Sequence, residues 1–180
     1  MTAPVVLVMG VAGAGKTTVG GRLAADLGWA FLDGDDLHPA TNIAKMAAGF
    51  PLTDADRAPW FAEIGEVIDN WAARGTPGVV ASSALKRAYR DGLRAGRPQI
   101  ELVYLGGGRD LLATRLAQRT GHFMPPGLLD SQLATLEPPT DEERAISLDI
   151  SLPLERQIAE VIAALRTRGV SLTPQSNGVS

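Results

Sequence analysis

The chain has no cysteine among its 180 residues. That excludes disulfides, thiolate zinc sites and a cysteine nucleophile, and it is compatible with a reducing compartment. No apolar run approaches membrane-spanning length. The apolar segment Val5 to Met9 is too short for the core of a secretion signal and no basic stretch precedes it, so the expected location is cytoplasmic, with no membrane partner. Basic blocks are missing too. Lys and Arg total 17 against 20 Asp and Glu, a net charge of −3 spread over mixed-sign segments. A broad nucleic-acid surface is thereby disfavoured, whereas a local pocket for a small phosphorylated ligand is not. There is no internal repeat and no second-domain boundary. With 45% hydrophobic residues the chain suffices to bury one real core.

Strand-like apolar runs at Val5 to Met9, Ala30 to Leu32, Gly78 to Ala81, Ile100 to Leu105 and Ala145 to Ile150 alternate with helix-period segments. The helices are expected over Lys16 to Leu27, Pro39 to Ala48, Asp56 to Arg74, Lys86 to Ala95, Arg109 to Gln118 and Leu154 to Arg166. This is the α/β pattern of a parallel sheet flanked by helices. Thr53, three residues before Asp56, reads as an N-terminal cap, and Gly75 as a stop. Gly106-Gly107-Gly108 reads as a tight connection. Proline-rich His122 to Pro126 and Glu137 to Thr140 mark an irregular excursion. The expected organisation is one domain over 1–170, with a lid over roughly 119–140 and a disordered tail over 171–180.

Directly after the first strand, Gly10-Val11-Ala12-Gly13-Ala14-Gly15-Lys16-Thr17 fits the phosphate-binding pattern G-x-x-x-x-G-K-[ST], and Thr18 follows. Glycines let successive backbone N–H groups face a polyphosphate, and the next helix adds its positive end. Lys16 would reach the β- and γ-phosphates, and Thr17 would give a hydroxyl to Mg²⁺. A nucleoside triphosphate is the expected ligand.

Such a loop needs a carboxylate for the metal or its water shell. The third strand has none at its end, where Ser82-Ser83 follow, which argues against a motor or transport ATPase. The second strand runs instead into Asp33-Gly34-Asp35-Asp36. Carboxylates two apart in an extended segment point the same way. Asp33 would bind Mg²⁺ through water, while Asp35 would take the proton of an acceptor hydroxyl. The alternative is a solvated acidic turn, and Asp36 reads as a helix cap. Arg115 and Arg119, four apart on one helix face, suit a lid over the nucleotide, one stacking on the base and one neutralising the phosphoryl group in flight. Their alternative is two solvated surface arginines.

Four blocks then follow in order: Asp33-Gly34-Asp35-Asp36-Leu37-His38-Pro39, Asn42-Ile43-Ala44-Lys45-Met46, Gly49-Phe50-Pro51-Leu52 and Asp54-Ala55-Asp56-Arg57-Ala58-Pro59-Trp60. With Ser83-Ala84-Leu85-Lys86, Tyr89-Arg90-Asp91, Gly121-His122-Phe123-Met124-Pro125 and Ser131-Gln132-Leu133-Ala134-Thr135-Leu136-Glu137, the chain resembles the gluconate kinases over nearly all of Val5 to Leu165. The resemblance implies a P-loop, nucleoside-monophosphate-kinase-like fold, usually in a homodimer. It also implies transfer of the ATP γ-phosphoryl group to the 6-hydroxyl of D-gluconate with Mg²⁺. It places the phosphate loop on Gly10 to Thr17, the acidic motif on Asp33 and Asp35 and the lid arginines on Arg115 and Arg119. Lys16, Asp35 and Arg119 are the expected catalytic residues.

A polyhydroxy acid needs several polar side chains and a cation. Asp35, His38, Asn42, Lys45, Arg57, Lys86, Arg90 and His122 are the candidates, with Arg57 favoured for the substrate carboxylate. The alternatives are helix entry for His38 and a solvated helix face for Lys86 and Arg90. Trp60 and Trp71 read as core rather than sugar platform. The nearest rival, shikimate kinase, shares the loop and the Asp-x-Asp but has no histidine-proline block. A non-catalytic nucleotide switch would need guanine-reading features, and no Asn-Lys-x-Asp occurs.

Overall fold

Five consecutive apolar residues, Val5–Met9, form β1 and all are buried, as a central parallel strand covered on both faces requires. The computed structural model describes residues 2–119 and 127–173. Around β1 lie β2 (Ala30–Asp33), β3 (Gly78–Ala81), β4 (Ile100–Gly106) and β5 (Ile146–Asp149), in the order β2-β3-β1-β4-β5. Every pairing is parallel, with Val5 opposite Gly78 on one side and Ile100 on the other, and Asp33 opposite Ala81. Helices connect the strands: α1 (Lys16–Leu27), α2 (Ala40–Ala47), α3 (Asp54–Ala73), α4 (Arg87–Arg94), α5 (Arg109–Ala117), α6 (Leu128–Thr135) and α7 (Leu154–Thr167). From β1 the chain runs to β2 and β3 on one side and then crosses to β4 and β5 on the other, so a crevice opens beyond the carboxyl end of β1.

Alternation along β1 divides the core. Val6 and Val8 pack with Val19 and Leu23 of α1 and Val161 and Leu165 of α7. Val5, Leu7 and Met9 pack on the other face with Trp60, Ile64 and Ile68 of α3 and Leu93 of α4. A β-carbon on Gly78 would lie 2.3 Å from the Trp71 ring, so the indole rests directly on backbone. Gly107 is needed for the same reason under Ile150, and Ile150 N–H donates to the Gly106 carbonyl, which makes the glycine triplet the expected tight connection.

The expected cap of α3 is a full capping box. Asp56 N–H donates to Thr53 Oγ1, and Thr53 N–H donates to the Asp56 carboxylate at 2.7 Å. Two expectations change. The excursion after β4 contains a regular helix, α6, that the prolines on either side conceal. Asp36 is not the cap of its turn: Asp33 caps the 3₁₀ turn Gly34–Leu37 by accepting from Asp35 N–H, and Asp36 stays exposed. The expected tail falls mostly outside the described residues.

Candidate active site

The chain leaves β1 through Gly10 and enters α1 at Lys16. Gly13 (φ 84°) and Gly15 (φ 93°) take left-handed backbone that other residues adopt only under strain. A β-carbon on Gly13 would also stand 2.9 Å from Leu116 Cγ, because α5 packs against the loop. The first turn of α1 holds no acidic residue, so its positive end is left for an anion. Lys16 Nζ rests on the Val11 carbonyl at 3.2 Å. Burial pushes its ammonium below the ordinary lysine value, against the pull of Asp35 and Asp33, while Arg119 lowers it further.

Asp33, the last residue of β2, receives the Thr17 hydroxyl on one carboxylate oxygen at 2.7 Å and Asp35 N–H on the other at 3.0 Å. The two aspartates are joined through the turn, but only Asp35 lines the cavity, and it sits in the 3₁₀ turn and not in an extended segment. Its side chain is 69% exposed and faces this cavity of about 440 Å³. Lys16, Thr17, His38, Arg57, Ser83, Arg119 and Gln132 line the same cavity. His38 stacks on Trp60 with ring centroids 3.9 Å apart, and its Nε2 lies 3.8 Å from Asp35 Oδ1. Burial, with Arg57 adding, outweighs Asp35 and holds the imidazole below its ordinary value, hence neutral at pH 7. Arg57 donates to Tyr89 Oη at 3.2 Å.

On the far side of Gly13 and Gly15 lies a second cavity of about 480 Å³, bordered by Thr18, Arg115, Arg119, Ser151, Pro153 and Gln157. Arg115 donates to the Ile150 carbonyl and Arg119 borders both cavities. The phosphate loop thus stands between two cavities.

Other candidates are elsewhere. Arg90 is corrected outright. It is fully buried, paired with Glu143 through both carboxylate oxygens at 2.6 and 2.9 Å, and it donates to the Ala84 and Leu85 carbonyls. It has no route to a substrate and belongs to the core. Lys45 is occupied by Asp56 at 2.6 Å, and that contact, with Thr53, lowers the Asp56 carboxyl to about 2. Lys86 pairs with Asp54 at 3.0 Å outside the cavity. Asn42 is buried and donates to the Asp56 carbonyl at 2.9 Å, so it orders α2 against α3. His122 lies outside the described residues. Trp60 is core as expected, 1% exposed, with its indole N–H on the Gly34 carbonyl at 2.6 Å.

Two sets of lining residues had been missed. Leu128, Ser131, Gln132 and Thr135 of α6 line the cavity of Asp35 at helical spacing, a signal the sequence does contain. Ser151, Pro153 and Gln157 border the other cavity, and no local pattern announces them.

Residues 5–139 match the family described as AAA domain. A gluconokinase of Gluconobacter oxydans is 52% identical over 140 residues, 78% of this chain and 79% of its own. The crystal structure of a gluconokinase from Sinorhizobium meliloti superposes with a TM-score of 0.83 at 46% identity, covering 94% of each chain. That of a sugar kinase from Janibacter sp. gives 0.87 at 40% identity, covering 96% of this chain and 99% of its own. Both structures share the wound parallel sheet, and with identity this high over most of its length the chain belongs to the gluconokinase family of P-loop kinases.

Proposed function

We propose that the chain is a gluconokinase that moves the γ-phosphoryl group of ATP to the 6-hydroxyl of D-gluconate, giving 6-phosphogluconate and ADP. The observation that carries this reading is the cavity shared by the phosphate loop and Asp35: Lys16 and Thr17 belong to its lining together with Asp35, His38 and Arg57.

The residues fit a magnesium ion. No cluster of three or more His, Cys, Asp or Glu side chains suited to a metal occurs among the described residues, but the Thr17 hydroxyl and the Asp33 carboxylate meet at 2.7 Å beside the loop. A hydroxyl and a carboxylate beside the phosphate loop are the hard oxygen donors that this cation takes, directly or through its own water. Thr17 would hold it directly and Asp33 through water. When bound, magnesium neutralises charge on the phosphate oxygens.

Backbone N–H groups of Gly13 and of Gly15 to Thr18, with the Lys16 ammonium, hold the phosphates, and Lys16 opposes the charge that builds on the transferred group. Asp35 accepts the proton of the attacking hydroxyl. The new O–P bond forms as the bond to the ADP oxygen breaks, and the proton remains on Asp35. Of the cations lining this cavity, Lys16 and Arg119 stand against the phosphate loop. His38 is neutral, so among the described residues Arg57 is left as the partner of the gluconate carboxylate. Arg115 would lie against the base. A homodimer and a cytoplasmic location belong to the same reading. Among the described residues no helix is long and apolar enough to cross a membrane.

The test is ADP release with Mg²⁺ and ATP across gluconate, shikimate, other sugar acids and neutral sugars, with an acceptor-free control. Gluconate-dependent turnover supports the reading, and turnover only with another acceptor refutes it. Asp35→Asn is expected to lower kcat about 10²- to 10⁴-fold with the KM for ATP kept. Near-normal kcat would remove Asp35 from the role of base.

A further inference from the structure

One phosphate-loop amide is engaged from outside the loop. Ala12 N–H donates to the side-chain carbonyl of Gln132, a residue 120 positions away on α6, at 2.7 Å. The donor fixes which way the carboxamide faces. Only the oxygen accepts from an N–H group, so Oε1 meets the loop and the two N–H groups of Nε2 point away from it. Among the described residues, Nε2 has no hydrogen-bond partner, and Gln132 lines the cavity that holds Asp35, His38 and Arg57.

The rest of α6 is built around that placement. Leu128, Ser131, Gln132 and Thr135 present one helix face to the cavity. Both ends of the helix region are fastened from outside it. Arg109 holds Asp130 at 2.8 Å, Glu137 N–H donates to the Leu85 carbonyl, and the Glu137 carboxylate accepts from Arg87 N–H at 2.8 Å. A carboxamide positioned by the loop and facing the acceptor cavity is a neutral donor. It suits a hydroxyl and discriminates poorly in favour of an anion.

We propose that Gln132 determines acceptor specificity: anchored on the phosphate loop through Oε1, it donates from Nε2 to a hydroxyl of the open-chain polyhydroxy acid. This rests on the gluconate reading and deepens it. On the opposite wall Asp35 offers an acceptor and Arg57 a cation. A donor on the α6 side gives the hydroxyl chain a partner on its second face. A buried site built to bond a hydroxyl rejects an analogue that lacks it, because the site's own polar group is then left unpaired.

Two variants and a set of monodeoxygluconates test this in the full-length chain. Gln132→Leu loses both contacts. Gln132→Glu keeps an oxygen for Ala12 N–H but loses the donor. Each is expected to melt within about 2 °C of wild type, since the side chain is only half-buried. In both, the KM for gluconate rises about ten-fold or more, while the KM for ATP stays within about two-fold. One deoxygluconate that wild type handles poorly should lose nothing further in either variant, the signature of a shared contact. A gluconate KM unchanged in Gln132→Glu, or a rise in the ATP KM alone, overturns the proposal while leaving the gluconokinase reading in place. Absence of gluconate turnover in wild type overturns both.

Discussion

Replacing Arg90 with leucine leaves the Glu143 carboxylate buried without a countercharge. Both side chains are almost wholly enclosed, at 0% and 2% exposure, and joined by two short hydrogen bonds. Removing one partner of such a pair costs about 3–5 kcal/mol, most of it the penalty on the charge that remains. In a chain of this size that lowers Tm by about 6–20 °C, read by circular dichroism at neutral pH. The loss depends on pH. Hydrogen bonds from Arg90 hold the Glu143 carboxyl below its usual 4.5, so the pair's contribution is complete above that value and is lost as pH falls through the lower folded value. Without Arg90 the carboxyl titrates higher, and the Tm gap between wild type and variant should narrow as pH falls below the usual glutamate range. Arg90→Leu combined with Glu143→Leu should recover much of the stability, because an apolar pair replaces the ionic one. The reasoning fails if Arg90→Leu melts with wild type and instead raises the KM for gluconate, which would return this arginine to the substrate.

Gly78→Ala forces a methyl group to within 2.3 Å of the Trp71 ring, an overpacking worth about 1–3 kcal/mol, and a urea midpoint equal to wild type would contradict that packing. His38, buried as the neutral imidazole, contributes stability in full above its unfolded value and loses it as pH falls through its lower folded value. Between pH of about 7.5 and about 5.5, wild type should lose stability relative to His38→Gln, and parallel melting curves would show that His38 is not held neutral.

The sheet was legible because its strands are apolar runs with no competing period. β1, α1 and β3 have the expected limits, and the capping box at Thr53 fixes the start of α3 from two residue types at one spacing. The cations were much harder. Lys45, Arg57, Lys86 and Arg90 are equivalent letters near the same motifs, and what separates them is a distant partner. Arg90 is claimed by Glu143, 53 residues on, and Lys86 by Asp54, 32 residues back. Arg57 stays in the cavity because the phenol of Tyr89 holds it there without neutralising it. No local pattern carries that information. α6 differs again: its helical spacing is present, but the prolines on either side mask it.

The Asp33-Gly34-Asp35 spacing shows how the core sets the chemistry. A β-carbon on Gly34 would lie 2.8 Å from the Ala81 carbonyl and 3.4 Å from Ser82 Cβ, so the turn after β2 lies flush against the end of β3 only if this residue is glycine. Trp60 then locks it from below through the Gly34 carbonyl and supports His38 on its ring face. Asp33 closes the arrangement, with one oxygen on the turn and the other on the phosphate-loop threonine. Thr17 and Asp35 are therefore referred to the same carboxylate, and the two cannot drift independently. The tryptophan read as mere core is the reason the acidic pair keeps its register with the phosphate loop.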